Sequence, residues 1–287
     1  MNKQLPVTRQ PFPVITLQGV RVRYTADTAL VLDLARLTID PGERVAIIGP
    51  SGSGKTTLLR LINGYLRPEA GQVTVLGQDI NQSGPGRRRV GFIFQDFNLV
   101  ERATVFQNVL WGRLGRVNPL VSLFNWFPAA DKHLAMQAIA EVALIEQANQ
   151  RADTLSGGQQ QRVAVARVLA QEAEIILADE PVSNLDPALA DDILGLLIEV
   201  SRKYEATLVM SLHQPVLARR YAERVIGLRK GRLVFDGRND ALSPSVLRTI
   251  YGREVNLGAA APLDRDGQQS IPNRQPHLDR TEPEVSL

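Results

Sequence analysis

A glycine-rich segment near the start of the chain has the spacing of a phosphate-binding loop. It reads Gly49-Pro50-Ser51-Gly52-Ser53-Gly54-Lys55-Thr56, with Thr57 directly after it. Glycines let backbone N–H groups curl around a phosphate, and a helix that begins here points its positive end at the same anion. Lys55 adds a point charge, and the Thr56 hydroxyl can ligate Mg²⁺. An ordinary glycine turn with a surface lysine is the alternative.

The residues on either side supply the strand and the helix that such a loop needs. Residues 44–48 are apolar and β-branched, which is typical of a buried strand, and residues 57–62 have helical apolar spacing. Because the motif lies between a strand and a helix, it predicts a site for a nucleoside triphosphate and makes the ordinary turn the weaker interpretation.

Two acids follow a second buried-strand pattern. Residues 175–178 are apolar and lead into Asp179 and Glu180. A carboxylate at the tip of such a strand can reach a metal ion at a neighbouring phosphate loop, so we expect Asp179 on the magnesium side. Glu180 is then the candidate that orients or deprotonates the hydrolytic water. The alternative is a pair of surface acids before a turn at Pro181.

A further motif comes before these acids and opens a long helical pattern over residues 160–170. It reads Leu155-Ser156-Gly157-Gly158-Gln159. A serine and two glycines at a helix start present unpaired N–H groups and a hydroxyl, which make a second anion-binding end. The motifs, in this order, resemble those of the ATP-binding cassette family from about Ile15 to Gly252. The resemblance implies an α/β fold: a P-loop NTPase cassette with a mixed-sheet core lobe and a smaller helical signature subdomain.

The same resemblance implies how the motifs cooperate. It implies that ATP and Mg²⁺ are held between two copies of the chain, by the phosphate loop of one copy and by Ser156, Gly157, Gly158 and Gln159 of the other. His213 matches a histidine that senses the γ-phosphate, and Asp186 matches a position in the loop that crosses the dimer interface. A solitary histidine can also be structural.

Two more positions are assigned by resemblance. Gln95 matches a glutamine that touches magnesium and water and reports nucleotide state to a membrane partner. Tyr24 matches an aromatic residue that stacks on adenine. Because aromatic residues are enriched in strands, Tyr24 could instead be a half-buried strand tyrosine.

The pattern of elements suggests one domain with two parts. Strand patterns around the phosphate loop and after residue 174 predict an α/β lobe, and helical spacing over residues 131–142 predicts a helix between them. We expect an ATP-binding domain at residues 15–255, with its helical subdomain at about residues 97–172. Residues 258–287 lack periodicity, which favours a flexible tail.

Composition restricts the class of protein. No run of the 287 residues approaches the ~18 apolar residues that span a bilayer, and the polar N-terminus lacks a signal-peptide core. The chain has no cysteine, which excludes disulfides and thiolate metal sites. A net charge of +3 gives no strong case for nucleic acid, and we interpret Arg87-Arg88-Arg89 as a solvated turn. We expect a peripheral protein at the cytoplasmic face of the cell (inner) membrane.

The absence of fused membrane segments or a second cassette implies a separate ATPase subunit that docks beneath membrane-spanning partners. Segments within residues 97–115, 211–229 and 250–252 resemble phosphonate-import ATP-binding proteins. That likeness implies an ATP-hydrolysing translocase that works with permease subunits and a solute-binding protein. The alternatives are import or export of another solute, such as phosphate esters, phosphite, amino acids or lipoproteins, and a soluble cassette acting on ribosomes or DNA. The apolar stretch at residues 120–127 either packs within the helical lobe or contacts the membrane partner.

Overall fold

A computed structural model describes residues 12–25, 29–80, 88–117 and 126–254. The tail expected at residues 258–287 and most of the apolar stretch at residues 120–127 lie outside these ranges. The strands are β1 (Ile15–Val22), β2 (Leu32–Ile39), β3 (Arg44–Ile48), β4 (Ala70–Val75), β5 (Gln78–Asp79), β6 (Val90–Ile93), β7 (Ile175–Asp179), β8 (Thr207–Ser211), β9 (Arg224–Arg229) and β10 (Arg232–Arg238). The α-helices are α1 (Lys55–Asn63), α2 (Val105–Leu110), α3 (Ala129–Glu141), α4 (Gly157–Ala170), α5 (Pro187–Lys203), α6 (Pro215–Tyr221) and α7 (Pro244–Tyr251).

The larger sheet positions the predicted chemistry. Its strand order is β10-β9-β3-β8-β7-β6, in which β9, β3, β8, β7 and β6 run parallel and β10 pairs antiparallel with β9. The strands at residues 44–48 and 175–179 match the two buried-strand patterns of the sequence. Since parallel strands end at the same edge, the residues that follow β3, β6, β7 and β8 meet there.

The second sheet is antiparallel and covers one face of the first. Its order is β2-β1-β4-β5. Along β3, Val45 and Ile47 pack with the inner residues of this sheet and of α1, whereas Ala46 and Ile48 belong to the core on the opposite face. This alternation follows from the two-residue period of a strand, which sends successive side chains to opposite faces. Helix α1 is therefore buried between the two sheets.

The remaining helices cover the other face of the larger sheet. The signature pattern forms α4, as predicted, and the periodic segment at residues 131–142 forms α3 one or two residues earlier than its pattern suggested. Buried residues of α2, α3 and α4 share one hydrophobic core with β6, β7 and β8. The mixed sheets and these helices confirm the expected α/β cassette fold.

Two features concern surfaces. In the described ranges, no helix combines the length and the apolar character needed to cross a membrane. At the end of the stretch 120–127, Trp126 is 78% exposed whereas Phe127 is 5% exposed. The burial of Phe127 therefore fits packing within the helical lobe, whereas the exposure of Trp126 fits a contact with the membrane partner.

Candidate nucleotide site

The phosphate loop curves tightly between β3 and α1. Gly49, Gly52 and Gly54 have φ of +153°, +74° and +103°, which glycine adopts without strain. At Gly49 a Cβ would lie 2.2 Å from the Leu228 carbonyl oxygen, so only glycine fits beside β9. Of the predicted loop residues, Ser51 and Gly52 are exposed, Pro50 and Thr56 are partly buried, and Gly49, Ser53, Gly54, Lys55 and Thr57 are buried.

Lys55 is buried inside the loop. Its Nζ donates to the carbonyl oxygens of Gly49 at 3.0 Å and Pro50 at 3.4 Å. Burial lowers the pKa of Lys55, and the nearby carboxylates of Glu180 and Asp179 act in the opposite direction. The ammonium is thus fixed by backbone oxygens at the first turn of α1, where the helix dipole also favours an anion.

A hydroxyl and a carboxylate meet beside this lysine. The Thr56 Oγ1 donates to Asp179 Oδ1 at 3.0 Å, which joins the start of α1 to the end of β7. Both groups are hard oxygen donors of the kind that Mg²⁺ prefers, so they fit that ion. Within the described residues, no group of three or more His, Cys, Asp or Glu could hold a metal by itself. Mg²⁺ often shares its coordination between one or two protein groups and nucleotide phosphates, so this small donor set is sufficient.

Glu180 lies between the side chains of Lys55 and His213. Its Oε1 is 2.5 Å from His213 Nε2 and 4.0 Å from Lys55 Nζ. Glu180 has φ of +49°, a left-handed conformation that is uncommon for a non-glycine residue and often occurs at functional sites. The backbone therefore turns this carboxylate away from the line of β7 and towards His213.

Ser211, at the end of β8, connects the two acids. Its Oγ donates to Asp179 Oδ1 at 2.8 Å and accepts from the Glu180 N–H at 2.9 Å. We did not single out Ser211 from the sequence. The available signal was a hydroxyl at the end of an otherwise apolar strand, two residues before His213.

The other predicted residues lie outside this hydrogen-bonded group. Tyr24 is 53% exposed, and its hydroxyl is 2.8 Å from Thr57 Oγ1 on α1. Tyr24 lies two residues beyond the end of β1, so it is not a strand residue, although it is half-buried as the alternative expected. Gln95 is exposed two residues after the end of β6, and its side chain makes no hydrogen bond or ion pair with the residues the structure describes.

The signature residues form a complete helix cap. Ser156 Oγ accepts from the Gln159 N–H at 3.3 Å, and Gln159 Oε1 accepts from the Ser156 N–H at 3.0 Å. Gly157 is exposed, whereas Gly158 is buried where a Cβ would lie 2.5 Å from Leu189 Cδ2. Asp186 caps α5 by accepting from the Leu189 N–H at 3.0 Å. The signature therefore begins α4 as predicted and packs against α5.

Comparison with characterised proteins identifies close relatives of the whole cassette. Phosphonates import ATP-binding protein PhnC 2 of Cupriavidus metallidurans is 45% identical over 248 residues, which cover 85% of this chain and 88% of that protein. Phosphonates import ATP-binding protein PhnC of Paraburkholderia xenovorans is 43% identical over 255 residues, which cover 84% and 85%. The similarity therefore extends well beyond the motifs.

Solved structures share the fold. One is cbiO1 from Clostridium perfringens, part of the ABC transporter complex cbiONQ, with a TM-score of 0.70, 27% identity and coverage of 80% of this chain and 90% of that chain. Another, a dimeric structure of a bacterial ABC transporter cassette, has a TM-score of 0.67, 33% identity and coverage of 78% and 98%. The ABC transporter family model matches residues 32–183. With its phosphate loop, acidic strand end and signature helix in place, the chain belongs to the ABC transporter family, as an ATP-binding cassette.

Proposed function

We propose that this protein is the ATP-hydrolysing, energy-coupling subunit of an importer for phosphonates. The proposal rests on one observation above the others. Three separate segments of the chain converge at one sheet edge, in a chain that is 45% identical to a phosphonate-import ATP-binding protein. They carry Lys55 and Thr56, Asp179 and Glu180, and His213. We take residues 15–255 as the ATP-binding domain, with a helical part at about residues 97–172.

In the proposed reaction, Glu180 orients the attacking water and accepts its proton. His213, 2.5 Å from the same carboxylate, holds Glu180 in position and contacts the terminal phosphate. Lys55 binds the β- and γ-phosphates from inside the loop, and Tyr24 stacks on the adenine. Magnesium, held by Thr56 and Asp179 and contacted by Gln95, would neutralise charge on the phosphates.

We further propose that two copies assemble head to tail around two ATP molecules. Ser156 is exposed at the N-terminal end of α4, where the helix dipole favours an anion. Asp186 is exposed at the N-terminal end of α5, where its carboxylate caps the helix, and we place it at the dimer interface. The dimeric cassette among the solved structures supports this arrangement. ATP binding would close the dimer, and hydrolysis would reopen it.

An aromatic groove near Gln95 is the surface we assign to the permease. Tyr65 is 62% exposed, and its ring centroid lies 6.0 Å from that of Phe92 and 6.1 Å from that of Phe94. Together with Trp111 and Arg167, these rings line a groove of about 470 Å³. Aromatic residues and arginine are enriched in protein interfaces. The permease would contact this groove, and the solute-binding protein would lie on the opposite side of the membrane. The chain would then lie at the cytoplasmic face of the inner membrane.

Arg167 links this groove to the signature helix. Its guanidinium donates to the carbonyl oxygens of Asn98 at 2.7 Å and Phe97 at 3.0 Å, in the turn that follows Gln95. Burial lowers the pKa of Arg167. A movement of α4 during dimer closure would therefore move the Gln95 turn and the proposed permease surface together.

Growth on a phosphonate as the sole source of phosphorus tests the proposal. We expect deletion of the gene to abolish this growth and to leave growth on inorganic phosphate unchanged. The wild-type gene should restore growth, whereas genes carrying Glu180→Gln or Lys55→Ala should not. The control Glu146→Gln, which changes an exposed glutamate in the turn after α3, should restore it fully.

The solute assignment is wrong if the deletion strain grows normally on phosphonates but fails on another phosphorus source. The role of Glu180 is wrong if the Glu180→Gln gene supports growth at the wild-type rate while its product is present in normal amount. The ATPase assignment is wrong if the Lys55→Ala gene does so as well. The permease assignment is wrong if the purified protein brings down ribosomes or DNA instead of membrane subunits.

A further inference from the structure

The last described helix, α7, is fixed against the strand that adjoins the phosphate loop. Leu247 and Ile250 of α7 are fully buried. Ile250 packs flat on Gly227 of β9, where a Cβ would come within 2.6 Å of Ile250 Cδ1. Since β9 pairs with β3, and β3 leads directly into the phosphate loop, the position of α7 is coupled to the nucleotide site.

The C-terminal end of α7 is held as firmly as its buried face. Gly252 adopts φ of +72° and donates its N–H to the Arg248 carbonyl, which terminates the helix. From β9, Arg229 Nη1 donates to the Thr249 carbonyl at 2.9 Å. These contacts leave the last helical residue, Tyr251, little freedom to move.

Tyr251 projects from this end towards the nucleotide site. Its hydroxyl donates to the backbone carbonyl of His213 at 3.3 Å. The backbone of Gly49 lies near enough to this hydroxyl to lower its pKa slightly. Tyr251 therefore ties the end of α7 to the residue that follows β8, beside the start of the phosphate loop. Burial raises the pKa of Tyr251 to about 12, so the hydroxyl keeps its proton and can donate at neutral pH.

We infer that Tyr251 is a positioning residue for ATP hydrolysis, whose hydroxyl holds the backbone of His213 in place from the end of α7. The inference rests on the proposed role of His213. His213 is exposed at the edge of the sheet, and its side chain reaches Glu180 from a segment between β8 and α6. A tether on its carbonyl fixes the direction from which the imidazole approaches the carboxylate.

The test compares Tyr251→Phe with Tyr221→Phe in the full-length protein. Both changes remove one hydroxyl from a helix end, but Tyr221 donates to Asp191 Oδ1 at 2.8 Å, between α6 and α5. The 3.3 Å contact of Tyr251 is long for an O–H···O bond, so we expect kcat to fall only about two- to fivefold. The KM for ATP should change less than about twofold, because the phosphate-binding groups are retained.

The inference is overturned if Tyr251→Phe hydrolyses ATP at the wild-type rate, or if Tyr221→Phe lowers kcat by the same factor. Tyr251→Ala provides a second measurement. It should lower kcat at least as far as Tyr251→Phe, because it removes the same hydroxyl as well as the ring.

A double variant separates positioning from a general structural effect. In a His213→Ala background, Tyr251→Phe should cause no further loss of kcat, because the group it positions is gone. The same two- to fivefold loss in that background would contradict the inference. His213→Ala alone tests the proposed function: wild-type turnover would refute the role of His213. A slow His213→Ala protein with a normal Tyr251→Phe protein would refute only the role of Tyr251.

Discussion

His213 Nε2 lies 2.5 Å from Glu180 Oε1, although the two residues follow different strands of the sheet. Strands β7 and β8 are parallel neighbours, with Asp179 opposite Ser211, so both chain segments leave the sheet side by side. The histidine therefore reaches the carboxylate across one strand spacing. Four consequences of this arrangement and of the neighbouring helix caps can be measured.

Changing Glu180 to glutamine should slow ATP turnover by roughly two to four orders of magnitude, the range expected for loss of a positioned general base. ATP binding should persist, because Lys55 and Thr56 are unchanged. Steady-state hydrolysis and nucleotide affinity measured on the same preparation check both parts. Glu146→Gln is the control and should leave both unchanged, whereas near-normal hydrolysis by Glu180→Gln would remove this residue from its role.

Changing Lys55 to alanine should weaken ATP binding by about tenfold or more, since a charge-assisted hydrogen bond to phosphate is lost. A fluorescent ATP analogue titrated against the purified protein measures this change. Lys132 is exposed on α3, and Lys132→Ala should retain the wild-type affinity. Equal affinities for the two variants would contradict the phosphate-loop assignment.

Changing Ser211 to alanine should lower the free energy of unfolding by about 1–3 kcal/mol, because the Glu180 N–H loses its acceptor in a partly buried site. We also expect turnover to fall by roughly tenfold or more, since both acids lose their common partner. Urea denaturation and steady-state hydrolysis measure the two effects.

Ser201→Ala is the matched control for Ser211→Ala. Ser201 is equally buried, but its hydroxyl donates to the Ile198 carbonyl within α5. We expect a smaller loss of stability and unchanged turnover, because no buried N–H depends on that oxygen. A turnover loss as large as that of Ser211→Ala would show that general destabilisation explains both results.

Changing Ser156 to alanine should cost about 1 kcal/mol of stability, the usual value for loss of an N-cap. Thr104 provides a matched comparison, because Thr104 and Gln107 form the same reciprocal cap at the start of α2. Thr104→Ala should cost a similar amount. We expect only Ser156→Ala to lower ATP turnover when the protein concentration is high enough to saturate dimer formation. Only that cap is proposed to face the nucleotide of a second copy. Equal turnover in the Ser156→Ala and Thr104→Ala variants would show that Ser156 acts only as a structural helix cap.

The sequence predicted those parts of the site that depend on local chain geometry. The loop ending in Lys55 and Thr56 is contiguous, and the strand before Asp179 has a clear apolar pattern. Ser156 also follows from local rules, since a hydroxyl before a helix is a usual cap. Asp186 was assigned by resemblance alone, and its role as the cap of α5 is seen only in the structure. The strand and helix patterns were confirmed for the same reason, whereas the mixed-sheet cassette fold, also confirmed, had been implied by the family resemblance.

Apart from Asp179 beside the phosphate loop, the contacts between distant segments were not predictable in this way. Ser211 meets Asp179 only because β8 lies beside β7, and Tyr251 meets His213 only because α7 packs on β9. Both facts depend on strand order and helix docking, which no local pattern encodes. The roles of the site residues, Gln95 and Tyr24 among them, stay predictions, because each would act on the nucleotide, its metal or the attacking water.

The placement of Tyr24 has a consequence for motion within the domain. Tyr24 follows β1 of the four-stranded sheet, whereas Lys55 follows β3 of the six-stranded sheet, and α1 lies between them. A nucleotide that stacks on Tyr24 and binds Lys55 would therefore connect the two sheets. ATP should therefore slow amide hydrogen exchange throughout β1 and β4, including at residues that do not contact the nucleotide.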